Sequence, residues 1–513
     1  MMIACIRVWI LLLIGGYAAG PLAATLSSQE QTCFAIQVVD AETGRGIPLV
    51  ELRTTNHLLY VTDSAGWVAF DEPGLLGETV YFHIRSHGYE VPKDGLGQQG
   101  RALKTTAGGN AKIELRRMNI AERLYRVTGQ GIYSDSFRLG RSTPLRNPLL
   151  SGAVMGQDSV QNAILDGELF WFWGDTNRPR YPLGHFATSA AKSQLPAKDG
   201  LSPSVGIDLD YFIDRSGFSE PAFEVEGGKL VWLDGVMVVE DEQGEPRIVG
   251  HYSVMKSLGE RLEHGLAVFD PSTGKFERLV EWPSEAVLEP HGHVMRVTHD
   301  QGDYFYFCNP FPRVRVKAEW KSVFDSQEYE AFTPLAQGEV YAGADSKWAS
   351  NEQGQIVADW KRETPPLTPQ QAHEMVAKKY LSAGQARWSV QSVGSKKSVT
   401  LQSGNVAWNE FRQKYVMIAV ELYGEHSVLG DVWYVESDRP EGPWTHAVRV
   451  AIHENYSFYN PRHHPYFDAE QGRYIYFEGT YTSTFSKAKY PTPRYDYNQI
   501  MYRLDLADPR LRP

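Results

Sequence analysis

Acidic and imidazole side chains recur at the ends of strand-like runs, at widely separated points of the chain. Asp158 and Asp175 flank the segment 156–177, whose apolar-aromatic run from Leu169 to Trp173 stops abruptly at Gly-Asp-Thr-Asn. A strand that ends in small and acidic residues delivers a carboxylate to a pocket from a rigid support. The same letters also make an ordinary turn. Later segments of similar form carry Glu220 in Ser-Glu-Pro, then Glu289 with His291 and His293, then Asn405, Asn409, Glu410 and Glu421. A last one carries Asn460, Arg462, His463, His464 and Glu478. Two carboxylates across a pocket, one protonated and one ionised, are what glycoside hydrolysis needs. The acid protonates the leaving oxygen, and the other group activates water or attacks the anomeric carbon. The imidazoles of His291 and His293 could reach a metal, or simply line a pocket, because alternate strand residues share a face. The motifs G-x-S-x-G, H-E-x-x-H, the P-loop and C-x-x-C do not occur.

The elements that must position these groups are short strands. From about 136 onward, strand-like runs alternate with Gly, Asp, Pro and Asn turns, and long helical periodicity is missing except over 368–383, opened by Pro369-Gln370-Gln371. Five units share one form: a polar lead-in, a strand, a turn and a stronger aromatic strand. They centre on 156–176, 229–239, 289–311, 403–424 and 458–482. A repeat of form without a repeat of letters, over this length, predicts a five-bladed β-propeller at 136–508, with an inserted segment near 340–385. Innermost strands of a propeller surround a central channel, so its geometry gathers distant lead-in residues into one pocket. Residues 30–117 read as a small all-β domain, with turns at 40–44 and 63–66. Residues 118–135 read as a connector, with a helical turn at 120–125.

The chain has 513 residues, 42% of them hydrophobic and 12% aromatic, enough for a sizeable core and several domains. Residues 1–24 read as a secretory signal: Arg7, an apolar core from Val8 to Ile14, then small residues. No other stretch reaches membrane-spanning length. The expectation is a secreted or periplasmic chain with no membrane attachment after signal cleavage. Without Arg7 the chain carries 50 basic against 62 acidic residues, which argues against a nucleic-acid partner. After the signal only Cys33 and Cys308 remain, so this is not a disulfide-built scaffold.

Two resemblances follow from particular motifs. Asp40, Thr43, Gly44, Ile47 and Pro48, then Thr62, Asp63 and Gly66, then Gly88-Tyr89, make residues 30–117 resemble the carboxypeptidase-regulatory-like, transthyretin-type β-sandwich. That resemblance implies a structural or binding accessory. The segment from Asp166 to Asn177 is similar to the opening of a propeller family long labelled a domain of unknown function, some members of which are endo-arabinanases. Together with 405–418, 431–444 and 459–468, it makes the propeller part resemble the five-bladed glycoside hydrolases of the arabinanase and xylosidase type. The resemblance implies that Asp175, or Asp158, matches a catalytic base on blade 1 and that Glu289 matches the acid. It leaves a carboxylate on blade 2, Glu220 or Asp234, to set the acid's pKa. It further implies a role for His464 in holding a Ca²⁺ ion through water.

The sequence thus predicts an all-β chain, a small sandwich followed by a five-bladed propeller, acting on a polysaccharide or oligosaccharide. The catalytic candidates are Asp175, Asp158, Glu289 and Glu220. The candidates to line the sugar site are Trp173, Asn177, Arg178, His291, His293, Asn409, Arg462, His463 and Glu478. Two other readings fit the same residues. One is a non-catalytic carbohydrate-binding platform. The other is a polysaccharide lyase built on His291, His293, His463, Tyr459 and Arg462.

Overall fold

A computed structural model describes residues 33–185, 188–226, 230–257 and 259–512. The expected signal segment lies outside the described residues. The chain is all-β, a two-sheet sandwich followed by a five-bladed propeller.

In the sandwich, Phe34–Asp40 is central. It pairs antiparallel with Trp67–Phe70 and parallel with Asn110–Arg117, and a second four-stranded sheet faces it. Alternation sends Phe34, Ile36, Val38, Leu52, Phe70, Phe82, Ile84, Ile113 and Leu115 into one shared core.

Each blade is a sheet built outward from the channel with antiparallel neighbours, except that Val390–Ser392 pairs parallel with His446–Ala451 at the edge of blade 4. The innermost strands are Gln161–Leu165, Leu230–Glu240, His293–His299, Leu401–Asn409 and Ser457–His463. Side chains stitch neighbouring blades together around the ring. Gln161 bonds to Asp234 at 3.0 Å, the backbone N–H of Gly292 donates to Asp234 at 2.9 Å, Asn405 brackets the backbone of His463, and Arg462 reaches the Asn162 carbonyl.

The fifth blade is completed from the other end of the chain. Its outer strand is Glu122–Arg126, paired antiparallel with Asn498–Asp505. The segment expected to be a connector with a helical turn is therefore a strand, and the ring begins before 136. The sequence hid this because all five residues of that strand are buried, so no alternation of apolar and polar letters marks it. Its charged members are paired inside the fold, Glu122 with Arg503 at 2.5 Å.

The insert decorates two blades. Asp359–Lys361 adds a strand to blade 3, while Val390–Ser392 and Ser398–Val399 extend blade 4. The helix expected over 368–383 is Pro369–Ala377, opened by a Thr368–Gln371 capping box with proline at its first turn. Cys33 and Cys308 are both buried and unpaired.

Candidate functional site

Blade 1 brings its two aspartates to one place. Asp158 precedes the innermost strand, and Asp175 follows the second strand, Glu168–Trp173. The two strands are antiparallel, so the start of one lies beside the end of the other, with Gln161 opposite Phe172. Gly174 makes the approach possible. Its N–H donates to the Asp158 carbonyl at 2.8 Å, and a Cβ there would lie 2.4 Å from Asp158 Oδ1.

The two carboxyl groups have different surroundings. Asp158 accepts from Tyr459 Oη at 2.6 Å. Burial raises its pKa, while hydrogen bonds from Tyr459, Tyr497, the Asp175 backbone and Ser159 oppose the rise. Asp175 has far less support. Burial first, then the repulsion of Asp158, push its carboxyl up to about 7, with only the Trp232 indole N–H acting the other way. One of its oxygens, Oδ1, is buried with no hydrogen-bond partner among the described residues. A carboxyl group in this state holds a proton near neutrality.

Trp232 belongs to the innermost strand of blade 2, and Asp234 falls on the same face two residues on. Asp234 Oδ1 collects donors from Gln161, the Gly235 N–H and the Gly292 N–H, all at 2.9–3.0 Å. Its other oxygen lies 3.5 Å from His291 Nδ1. Gly292, at φ +86°, has no room for a side chain, because a Cβ would sit 2.0 Å from the Cys308 carbonyl oxygen.

Along the innermost strands polar side chains bond to one another, while Arg462 Nε, Asn162 Oδ1 and Glu478 Oε2 are buried without a partner among the described residues. Arg462 Nη1 donates to His293 Nδ1 at 2.6 Å and to Gln161 Oε1 at 3.2 Å. His464 Nε2 bonds to Glu478 Oε1 at 2.9 Å, and its Nδ1 accepts from Tyr466 Oη at 2.6 Å and faces the Asn162 amide. All of Arg462, His293, His464 and Glu478 are buried. Burial keeps His293 and His464 well below the usual imidazole range, with Arg462 adding to it, and raises the Glu478 carboxyl to about 8. The surroundings of His464 do not suit Ca²⁺. Both ring nitrogens are engaged by protein partners, the neighbouring guanidinium repels a cation, and a hard ion prefers oxygen ligands.

Several sequence candidates lie elsewhere or do other work. Glu289 is not set up as a proton donor. Arg261 grips both its oxygens at 2.5 and 2.6 Å, and His291 Nε2 stands 3.2 Å away. Burial would raise its pKa, but the bonds and charges of His291 and Arg261 outweigh burial and hold the carboxyl well below the usual range. Conversely, Asp234 and Glu289 overcome burial to push His291 up to about 9. Glu220 sits near the outer strand of blade 2, paired with Lys275 at 2.9 Å.

Trp173 is no sugar platform, because it is 1% exposed and stacked on Trp171 at 6.0 Å inside blade 1. Asn409 is buried and ties the hairpin of blade 4 to Gly472. His463 is buried against Asp468 at 2.8 Å. Arg178 packs over the ring of Phe218. Asn177 pairs with Gly156 between two short antiparallel strands beside the aspartates. The lyase set is dispersed: His463 faces Asp468, His293 and Arg462 bond to each other, and Tyr459 donates to Asp158. A separate cavity of about 370 Å³ on blade 4, between Arg387, Lys414, Asp438 and Arg439, takes in none of the sequence candidates.

Sequence reasoning overlooked Tyr497 and the support that Trp232 gives. Tyr497 enters from the segment just before the last strand, and nothing near it in the chain signals a site.

No protein-family model matches the chain, and no curated protein matches it. Among solved structures, the chain is similar to an exo-β-1,3-galactanase from Phanerochaete chrysosporium bound to β-1,3-galactotriose, at 9% identity and a TM-score of 0.36. That match covers 75% of this chain and 65% of the galactanase. The chain is also similar to a GH43_1 enzyme from Xanthomonas citri complexed with xylotriose, at 10% identity and a TM-score of 0.33, covering 69% of this chain and 88% of that one. An exo-1,5-α-L-arabinanase from a bovine ruminal metagenomic library matches at 10% identity and a TM-score of 0.31, over 68% and 93% of the two chains. Likeness of this degree carries no argument about what the chain does.

Proposed function

We propose that the chain is a glycan-active hydrolase that cleaves a glycosidic bond of a polysaccharide or oligosaccharide at the mouth of the propeller channel. Asp175 is the proton donor to the leaving oxygen. Asp234, fixed by its three donors, is the carboxylate that activates water or attacks the sugar carbon. Asp158 keeps the proton on Asp175 by repulsion, and is itself held by Tyr459 and Tyr497. In this reading the acid comes from blade 1 and not from Glu289. Export, inferred from residues 1–24, places the activity outside the cytoplasm.

The observation that carries the reading is Asp175 itself: a carboxyl with a pKa near 7, one oxygen unpartnered, beside a second aspartate at the channel mouth. The test is a panel of plant, algal and bacterial polysaccharides, scored for new reducing ends and for ultraviolet-absorbing unsaturated products. Reducing ends without unsaturation are expected from the wild type. Asp175→Asn and Asp234→Asn should each lower the rate by roughly 10²–10⁴-fold with folding intact. Wild-type rates in Asp175→Asn would remove it from the site, and unsaturated products would replace hydrolysis by elimination.

A further inference from the structure

Blade 2 holds a second cluster that the reaction proposed above does not use. His251, on Pro246–Ser257, and His264, on Glu260–Asp270, face one another across adjacent strands, with His251 Nε2 3.4 Å from His264 Nδ1. Both rings are buried. The other nitrogen of His264, Nε2, lies 3.0 Å from the Pro283 carbonyl oxygen. A carbonyl only accepts, so in the uncharged ring Nε2 carries the hydrogen and Nδ1 presents a lone pair. That lone pair looks toward Glu289 Oε1, 3.8 Å away. A metal ion would take the place of the hydrogen that His251 Nε2 shares with that lone pair at 3.4 Å.

The spacing suits a metal ion. His251, His264 and Glu289 offer ligand atoms that all lie within 4.8 Å of one another. A tetrahedral centre with metal–nitrogen bonds of about 2.0–2.1 Å places its ligand atoms about 3.3–3.4 Å apart, and the two imidazoles already stand at 3.4 Å. Arg261 takes one lone pair from each Glu289 oxygen and His291 Nε2 takes the second on Oε2, which leaves one on Oε1, the oxygen that faces His264. His291 stands beside the cluster. Its ring is 5.8 Å from that of His251, its Nε2 is 3.2 Å from Glu289 Oε2, and Asp234 orients its far nitrogen. A cavity of about 200 Å³ with Glu289, His291, Asn309 and Arg313 in its wall gives access.

We propose that His251, His264 and Glu289 bind a divalent transition-metal ion of the zinc class, with water in the fourth position. Two imidazoles and one carboxylate favour such an ion over Ca²⁺ or Mg²⁺, which require mostly oxygen. The ion would tie the segment 283–292 to blade 2 and so fix Gly292, the donor that holds Asp234.

The site is tested without substrate, on the whole mature chain stripped with a chelator and titrated with Zn²⁺ against a chromophoric competitor. One equivalent should bind and raise the thermal midpoint, and His251→Ala should weaken binding by at least about 100-fold. Co²⁺ should give the intense visible bands of a four-coordinate site. His264→Cys keeps a ligand in place and should add a thiolate charge-transfer band to the Co²⁺ spectrum, a readout that does not depend on the alanine variant folding. Binding of less than a tenth of an equivalent would overturn the proposal. So would full affinity in His251→Ala, or Co²⁺ spectra unchanged by the cysteine. Loss of hydrolysis in Asp175→Asn leaves all these readouts untouched, so the two proposals fail separately.

Discussion

At the scale of single residues, the informative group is Asp175. Its folded pKa, about 7, lies above the ordinary carboxylate value because burial and Asp158 penalise the charge. The proton of the proposed donor is therefore present below about pH 7 and lost above it, so hydrolysis should fall along an alkaline limb near that value in a pH–rate profile. The same shift predicts a stability effect. A folded state that binds the proton more tightly than the unfolded chain loses stability as pH rises from the unfolded value toward 7. Asp175→Asn cannot ionise, so its thermal midpoint should exceed that of the wild type at pH 8, and the difference should close toward pH 4. Equal midpoints at both pH values would mean that Asp175 is solvated. Asp175 was legible in the sequence because an aromatic strand stopped at it. The state of Glu289 was not legible, because Arg261, which with His291 decides it, sits on a different strand 28 positions earlier.

At the scale of elements, the loop that joins strand to site sets the precision of the aspartate pair. Gly174→Ala would put a methyl group 2.4 Å from Asp158 Oδ1, so the carboxylate must leave Tyr459 or the backbone must shift. The expected cost is about 1–3 kcal/mol in thermal or denaturant unfolding, together with a loss of hydrolysis that approaches that of Asp158→Asn. An unchanged rate would show that the position of Asp158 does not matter. Strands with one wet face, such as Thr79–Arg85 with its alternating burial, are visible in the letters. Strands buried on both faces are not, which is why Glu122–Arg126 passed for a connector. The same limit explains Trp173 and Asn409. Their letters suit a sugar site, and only the packing of the neighbouring strands shows that they are interior.

At the scale of the molecule, the sandwich and the propeller are one buried unit. Arg123, on the strand that completes blade 5, is 1% exposed and donates to the carbonyls of Pro48 and His87 and to Ser86 Oγ in the sandwich. His87 bonds to Tyr481 of blade 5 at 3.0 Å, and Tyr495 donates to the Thr62 carbonyl at 2.7 Å. Leu49 and Val61 of the sandwich belong to the core of that blade. Arg123→Ala should therefore lower stability by about 3–5 kcal/mol, since several buried acceptors lose their donor together. A change below about 0.5 kcal/mol in urea unfolding would show that the two parts are independent. This dependence of the propeller on the sandwich could not be read from the letters, since the His87–Tyr481 and Thr62–Tyr495 contacts join residues 394 and 433 positions apart. The seam of the ring has a consequence in time. Glu122 and its partner Arg503 are 381 positions apart, so a chain growing at about 5–20 residues per second leaves the ribosome for roughly 20–80 s between the two halves of the seam. Through that interval the early strand is a bare edge awaiting a mate, open to the wrong neighbour. The sandwich, complete from the start and docked on that strand, is in the right place to shield it.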